Sequence, residues 1–268
     1  MTTSTEAARG RLTLGHPAKR RALEDRSVLI TGGAGGLGAP TAQALAAAGA
    51  RVVVLDRDAS GGERLTTDIC STGREAVFVH LDLSDTKGVL ARVGELAARR
   101  TIDILVNNAA IFPSRKFSDY SLDEYELVQR VNVQAAFACC QAVLPQMVAQ
   151  RWGRIINVSS ITFYGGWAGI APYVVSKGSL IALTRALARE YGSFGITANS
   201  ICPGAFPTAA EDIQGDPEAY RQLVLQQQCI KRRGTPADFA NAVLFFATDQ
   251  SEFVTGQSLN VDGGWFMT

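Results

Sequence analysis

The chain has 268 residues, 47% of them hydrophobic, enough for one substantial core in a single α/β unit. Its 26 basic and 25 acidic residues leave a formal net charge of +1, which gives no global attraction to nucleic acid or to an anionic bilayer. Five cysteines without a CxxC pair and two histidines, His16 and His80, argue against a zinc site. The cysteines read as buried free thiols in a reducing, cytoplasmic compartment.

Residues 1–24 carry Arg9, Arg11, Lys19, Arg20 and Arg21 but no apolar h-region, so they read as a flexible leader rather than a secretion signal. No uninterrupted apolar run reaches the roughly 18 residues of a spanning helix, and no membrane partner is expected. The apolar pattern begins at SVLI, residues 27–30. Further short β-branched runs follow at 51–55, 76–80, 102–106, 154–159, 196–201 and 257–261. Their length and composition favour strands over helices. Between them, residues 36–48, 61–71, 84–99, 122–149, 172–192 and 236–247 are helix-length segments. The alternation predicts a doubly wound α/β fold: a seven-stranded parallel sheet covered by helices on both faces. It spans residues 25–268 as one catalytic domain, interrupted by a polar, proline-containing stretch at 207–233. That stretch reads as a helical flap able to exclude water from a reaction site.

Thr31 to Gly38 read TGGAGGLG, directly after the first strand and at the start of a helix. Glycine allows close backbone approach to a pyrophosphate, and the helix N-terminus supplies amide donors and a favourable dipole. No G-K-S/T ending follows, which disfavours a nucleotide triphosphatase loop. Asp56 ends the second strand, where a carboxylate can accept hydrogen bonds from a ribose diol and repel a 2′-phosphate. The expected cofactor is therefore NAD. The neighbouring Arg57 pulls the other way, because guanidinium binds phosphate well. Asp82 after the third strand can meet adenine or cap the strand. Asn107 and Asn108 after the fourth can hold strand ends together and line the cleft.

Tyr173 and Lys177 stand four apart on a helix and share a face. A free tyrosine, with a pKa near 10, is a poor base unless an ammonium stabilises its phenolate. Ser160 can hydrogen-bond the substrate oxygen, while Tyr173 moves the hydroxyl proton and a hydride passes to or from nicotinamide. Asn132 is positioned to organise a relay water. Serine-hydrolase chemistry fits poorly, because no G-x-S-x-G surrounds Ser160.

On these residues the chain closely resembles the short-chain dehydrogenase/reductase family over about residues 24–266. Thr31, Gly32, Gly36 and Gly38, with Leu37 between them, match its TGxxxGxG motif. Asp56 matches its NAD-selecting acid, and Asp82 with Leu83 its adenine contact. Asn107, Asn108 and Ala109 match NNAG, with Ala110 in place of the last glycine. Asn132, Ser160, Tyr173 and Lys177 match the catalytic tetrad. Pro203 and Gly204 match the PG motif, Thr208 the nicotinamide-carboxamide contact, and residues 261–264 the terminal VDGG. The resemblance implies a Rossmann fold, cofactor contacts that include Arg57, Asn108, Tyr173 and Lys177, and a homo-oligomer, a tetramer before a dimer. Segments 122–149 and 172–192 would meet across a subunit interface.

Ile111, Phe112, Ser160, Ile161, Phe163, Trp167 and Phe206 form the expected substrate wall. Its apolar, aromatic character suggests a cyclic or aromatic secondary alcohol and its ketone, handled by an NAD-dependent dehydrogenase without a metal. An NADPH-dependent 3-oxoacyl-carrier-protein reductase is the alternative enzyme. A dinucleotide-binding protein without turnover is the alternative outside catalysis.

Overall fold

The computed structural model describes residues 21–208, 211 and 215–268. The expected leader falls largely outside them. Seven strands form one parallel sheet: β1 (Ser27–Thr31), β2 (Arg51–Asp56), β3 (Ala76–His80), β4 (Ile104–Asn107), β5 (Gly153–Val158), β6 (Ile196–Pro203) and β7 (Ser258–Val261). Their order is β3-β2-β1-β4-β5-β6-β7. The winding reverses between β1 and β4, and a cleft opens beyond the carboxyl ends of such neighbours. The register brings those ends level, with Thr31 opposite both Leu55 and Asn107.

Side chains alternate along each strand, so every strand feeds two cores. Val28 and Ile30 face one core and Leu29 the other. The first core is closed by α1 (Gly38–Ala47), α2 (Ala59–Ser71) and α9 (Pro236–Ala247), through residues such as Leu45, Leu65 and Phe239. The second is closed by α3 (Thr86–Arg99), α5 (Ala135–Gln150) and α7 (Ala171–Tyr191), through Val93, Val143 and Leu187. Helix starts are fixed locally. Asp58 and Asp85 accept amide bonds at the heads of α2 and α3, and Thr235 with Asp238 closes a capping box on α9.

The expected helix over 122–149 is divided. α4 (Leu122–Gln129) passes into a π turn at Arg130–Gln134 before α5 resumes. The local cause is Asn132, whose amide pairs with both backbone groups of Ile111, accepting from its N–H and donating to its C=O at 2.9 Å each. β4 starts at Ile104 rather than Ile102, because the Ile102 amide donates to the Gln146 side chain instead of a ladder. One α-helix lies outside the expected segments: α6 (Thr162–Gly165), a single turn. Within the expected flap lies α8 (Pro217–Gln227), capped by Asp216 and anchored by the buried Val224.

The continuous run Leu122–Gln150 is long and apolar enough by composition to cross a bilayer, yet half of its 18-residue apolar window is buried inside the fold. Val143, Leu144 and Met147 pack in the second core, as in the covering helix of a sheet. The cysteines are not all buried: Cys139, Cys140 and Cys202 are, whereas Cys70 and Cys229 are exposed. Cys70 lies near the end of α2, where the chain leaves the sheet surface, and Cys229 follows α8.

Candidate active site

The glycine turn closes over the ends of β1 and β4. A side chain at Gly38 would put Cβ 2.1 Å from the Gly32 carbonyl oxygen, so the helix can begin there only with glycine. Gly36 has φ +53° and open space where a side chain would project. The Thr31 hydroxyl accepts the Asn108 and Ala109 amides at 3.0 and 3.2 Å. The Asn108 side chain donates back to the carbonyls of Thr31 and Gly32, at 3.1 and 2.8 Å. These bonds tie the two strand ends and hold the turn open. The cradle, at a helix N-terminus beside Asp56, fits the pyrophosphate of a dinucleotide.

A cleft of about 600 Å³ runs from this turn across the carboxyl ends of the strands. Leu37, Asp56, Arg57, Asp82 and Leu83 line one end. Asn108, Ile111, Phe112, Tyr173, Lys177, Pro203 and Thr208 line the other. The Asp82 carboxyl is held below its ordinary range, chiefly by the Ser84 amide and hydroxyl, with the Arg57 charge contributing.

At the second end, Ser160 follows β5, is 5% exposed, and its hydroxyl accepts the Thr162 amide at 3.1 Å. Tyr173 is half-buried, and its ring meets Phe112 edge-on at 5.7 Å. Lys177 is 1% exposed, and its Nζ donates to the Val158 carbonyl at 2.6 Å while lying 5.3 Å from the Tyr173 ring centre. Burial pushes the Tyr173 phenol up to about 12, with the Ser160 bond opposing it. Burial pulls Lys177 down to about 7. The sequence predicts an ammonium that lowers the phenol; instead burial moves both groups toward their neutral forms. A phenol so held can donate a proton to a carbonyl oxygen.

Asn132 lies nearby, but its carboxamide is spent on Ile111 and on the Ser176 hydroxyl, to which it donates at 3.0 Å. Ser176 in turn donates to the Tyr173 carbonyl at 2.7 Å. Residue types and spacing single out Tyr173 and Lys177 but pass over Ser176, which links them to the π turn.

A family model described as enoyl-(acyl carrier protein) reductase matches residues 32–266. The chain is 38% identical over 243 residues to (2S)-((R)-hydroxy(phenyl)methyl)succinyl-CoA dehydrogenase subunit BbsD of Thauera aromatica, covering 90% of this chain and 97% of that relative. It is 34% identical over 244 residues to the 3-oxoacyl-(acyl-carrier-protein) reductase FabG of Staphylococcus aureus (strain Mu50 / ATCC 700699), covering 90% and 98%. The protein belongs to the short-chain dehydrogenase/reductase superfamily. A solved gluconate 5-dehydrogenase from Burkholderia cenocepacia J2315, in complex with NADP and tartrate, superposes with a TM-score of 0.87 at 34% identity, covering 92% of this chain and 97% of that one.

The expectation of NAD is corrected by this comparison. That superfamily structure holds NADP, as do other similar solved structures. The geometry explains why Asp56 alone misleads. Its Oδ2 accepts the Ala34 amide at 2.9 Å and its Oδ1 the Asp58 amide at 3.0 Å, so both oxygens are already engaged. Arg57 lines the cleft beside it.

Tyr173 and Lys177 line one end of the cleft, whereas Asn132 and Ser160 are not among its lining residues, nor is every expected wall residue. Ile161 packs inward with Ile181 and Cys202. Phe206 is buried in the first core and meets Phe239 edge-on at 6.2 Å. Phe163 lies against Tyr164 and is half open to solvent. Trp167 packs on Trp265 and Phe266. Gly204 supports the site from below, donating its amide to the Val261 carbonyl at 3.0 Å. Ala110, where the family pattern has glycine, lines the cleft. Leu127 and Val131 also line it unforeseen. Their i, i+4 spacing marks a shared helix face, but only the tertiary fold turns that face to the cleft.

Proposed function

We propose that this protein is an NADP(H)-dependent short-chain reductase that converts the keto group of a 3-oxoacyl thioester to the 3-hydroxy form, and acts as the dehydrogenase in reverse. The observation that carries the proposal is the pairing of Tyr173 and Lys177 in the cleft, with Lys177 Nζ 5.3 Å from the Tyr173 ring centre. Reduction needs an acid such as the Tyr173 phenol. The bound reduced nicotinamide would supply the hydride to the carbonyl carbon. Ser160 holds the carbonyl oxygen, Tyr173 donates its proton to that oxygen, and protonated Lys177 stabilises the phenolate left behind until solvent water returns the proton. The glycine turn holds the pyrophosphate, and Arg57 pairs with the 2′-phosphate.

Two relatives support the acyl substrate: one is named for a CoA-borne hydroxyacyl group, the other for a carrier-borne 3-oxoacyl group. A second reading, a ketone bearing an aromatic ring, is favoured by the edge-on contact of Phe112 with Tyr173 and by Ile111 at the same end.

The test is oxidation of NADPH and of NADH with acetoacetyl-CoA and with an aryl methyl ketone, followed by absorbance. Faster turnover with NADPH and the thioester is expected. Turnover of the ketone alone selects the second reading, and a clear NADH preference overturns the cofactor assignment. Arg57→Ala is expected to weaken NADPH binding about tenfold or more and to leave NADH binding unchanged, as for loss of a charged hydrogen bond.

A further inference from the structure

We infer that the segment following β7 is a positioning device for Ser160, acting through the rings of Trp265 and Phe266. This rests on Ser160 and Tyr173 being the reacting pair. Ser160 stands at the start of a turn that cannot hold itself. α6 is a single helical turn, and an isolated turn that short is unstable without packing. What packs on it comes from the other end of the chain. Trp167 meets Trp265 at 5.6 Å and Phe266 at 5.7 Å, both edge-on. Tyr164 stacks on Phe266 at 6.3 Å. Trp265 and Phe266 themselves stack at 6.4 Å. A Cβ on Gly165 would lie 2.2 Å from Trp167 and 3.0 Å from Phe266, so the turn and the rings are in close contact.

The clamp is itself anchored. The buried Asp262 carboxylate accepts the Gly264 amide at 2.9 Å and the Phe266 amide at 2.8 Å. Asn260 on β7 donates to the Phe266 carbonyl at 3.0 Å. On the inner side, the Thr162 amide donates to the Ser160 hydroxyl at 3.1 Å, and the Ile161 amide donates to the Pro203 carbonyl at 3.3 Å. The path from the rings to the Ser160 hydroxyl therefore runs through α6 and one hydrogen bond. The glycine turn and Asp56 lie in the other half of the sheet, so loosening the clamp disturbs the reacting pair and spares the cofactor end.

The experiment compares Trp265→Ala, Phe266→Leu and Trp265→Phe with the wild type in hydrogen–deuterium exchange, NADPH titration and steady-state kinetics. In Trp265→Ala, faster exchange is expected in residues 160–170 and unchanged exchange in residues 27–56. Its kcat is expected to fall about tenfold to a hundredfold, as for misplacement of a reacting group. NADPH affinity should stay within about twofold, a split that general unfolding would not produce. Trp265→Phe, which keeps an aromatic ring, should restore both exchange and kcat. Unchanged exchange across residues 160–170 in both Trp265→Ala and Phe266→Leu overturns the inference, as does an equal loss of kcat and NADPH affinity. If Trp265→Ala does not fold, Phe266→Leu decides alone by the same readouts. If the wild type turns over neither the thioester nor the ketone, the proposed reaction fails while exchange still decides the clamp.

Discussion

Burial moves both Tyr173 and Lys177 toward their neutral forms. The phenol rises to about 12 and the ammonium falls to about 7. For Lys177 the consequence for stability has a definite sign. Between about 7 and the ordinary value of 10.5 the unfolded lysine binds more protons than the folded one, so stability rises with pH across that window. Lys177→Met should remove this rise, visible as a flatter pH dependence of Tm than in the wild type; parallel curves would assign the folded lysine an ordinary pKa. Tyr173 acts oppositely, and its contribution falls as pH rises from 10 to about 12. Under the proposed chemistry, Tyr173→Phe keeps the ring against Phe112 and loses only the acid. Its kcat is expected to drop by about a hundredfold to ten-thousandfold with NADPH binding intact. Near-normal turnover in stopped-flow or steady-state assays would refute the role.

Elements in this protein begin where side chains cap them and deviate where side chains intrude. The capping box of α9 is reinforced by Arg232, which donates to both Asp238 oxygens, at 2.7 and 2.8 Å, and holds that carboxyl far below its ordinary range. Thr235→Ala removes one side of the box and should cost about 1 kcal/mol, lowering Tm by about 2–4 °C in calorimetry. The opposite case is the π turn at Arg130–Gln134, where helical periodicity runs on unbroken. The seven strand runs and six helix-length segments are legible in the chain because each needs only local composition and period. The bulge is not, because its cause, the backbone of Ile111, is distant in sequence.

At the scale of the whole molecule, the apolar faces that no neighbour covers carry the next prediction. Leu122, Phe137 and Val175, on α4, α5 and α7, are 79%, 49% and 47% exposed. Large apolar surface on a folded unit marks association. We propose that these helices meet their counterparts in a second copy of the chain, within a homo-oligomer. Light scattering coupled to size exclusion should give a mass above the 28.6 kDa of one chain. Phe137→Asp should shift the protein toward that single-chain mass. A monomeric wild type would refute the assembly.

The residue order alone determined the alternating α/β layers, the glycine turn and the Tyr173–Lys177 pair, because each depends on spacing within one element or one junction. Cofactor choice needed more than the acid at the end of β2. Asp56 and Arg57 both line the cleft, so the acid's repulsion of a phosphate is set against a guanidinium that attracts it. The expected aromatic wall was likewise decided by tertiary packing. Ile161, Trp167 and Phe206 have the right chemistry for a substrate pocket, but apolar side chains bury against whichever surface the fold brings nearest. That surface was the core for Ile161 and Phe206, and the segment after β7 for Trp167.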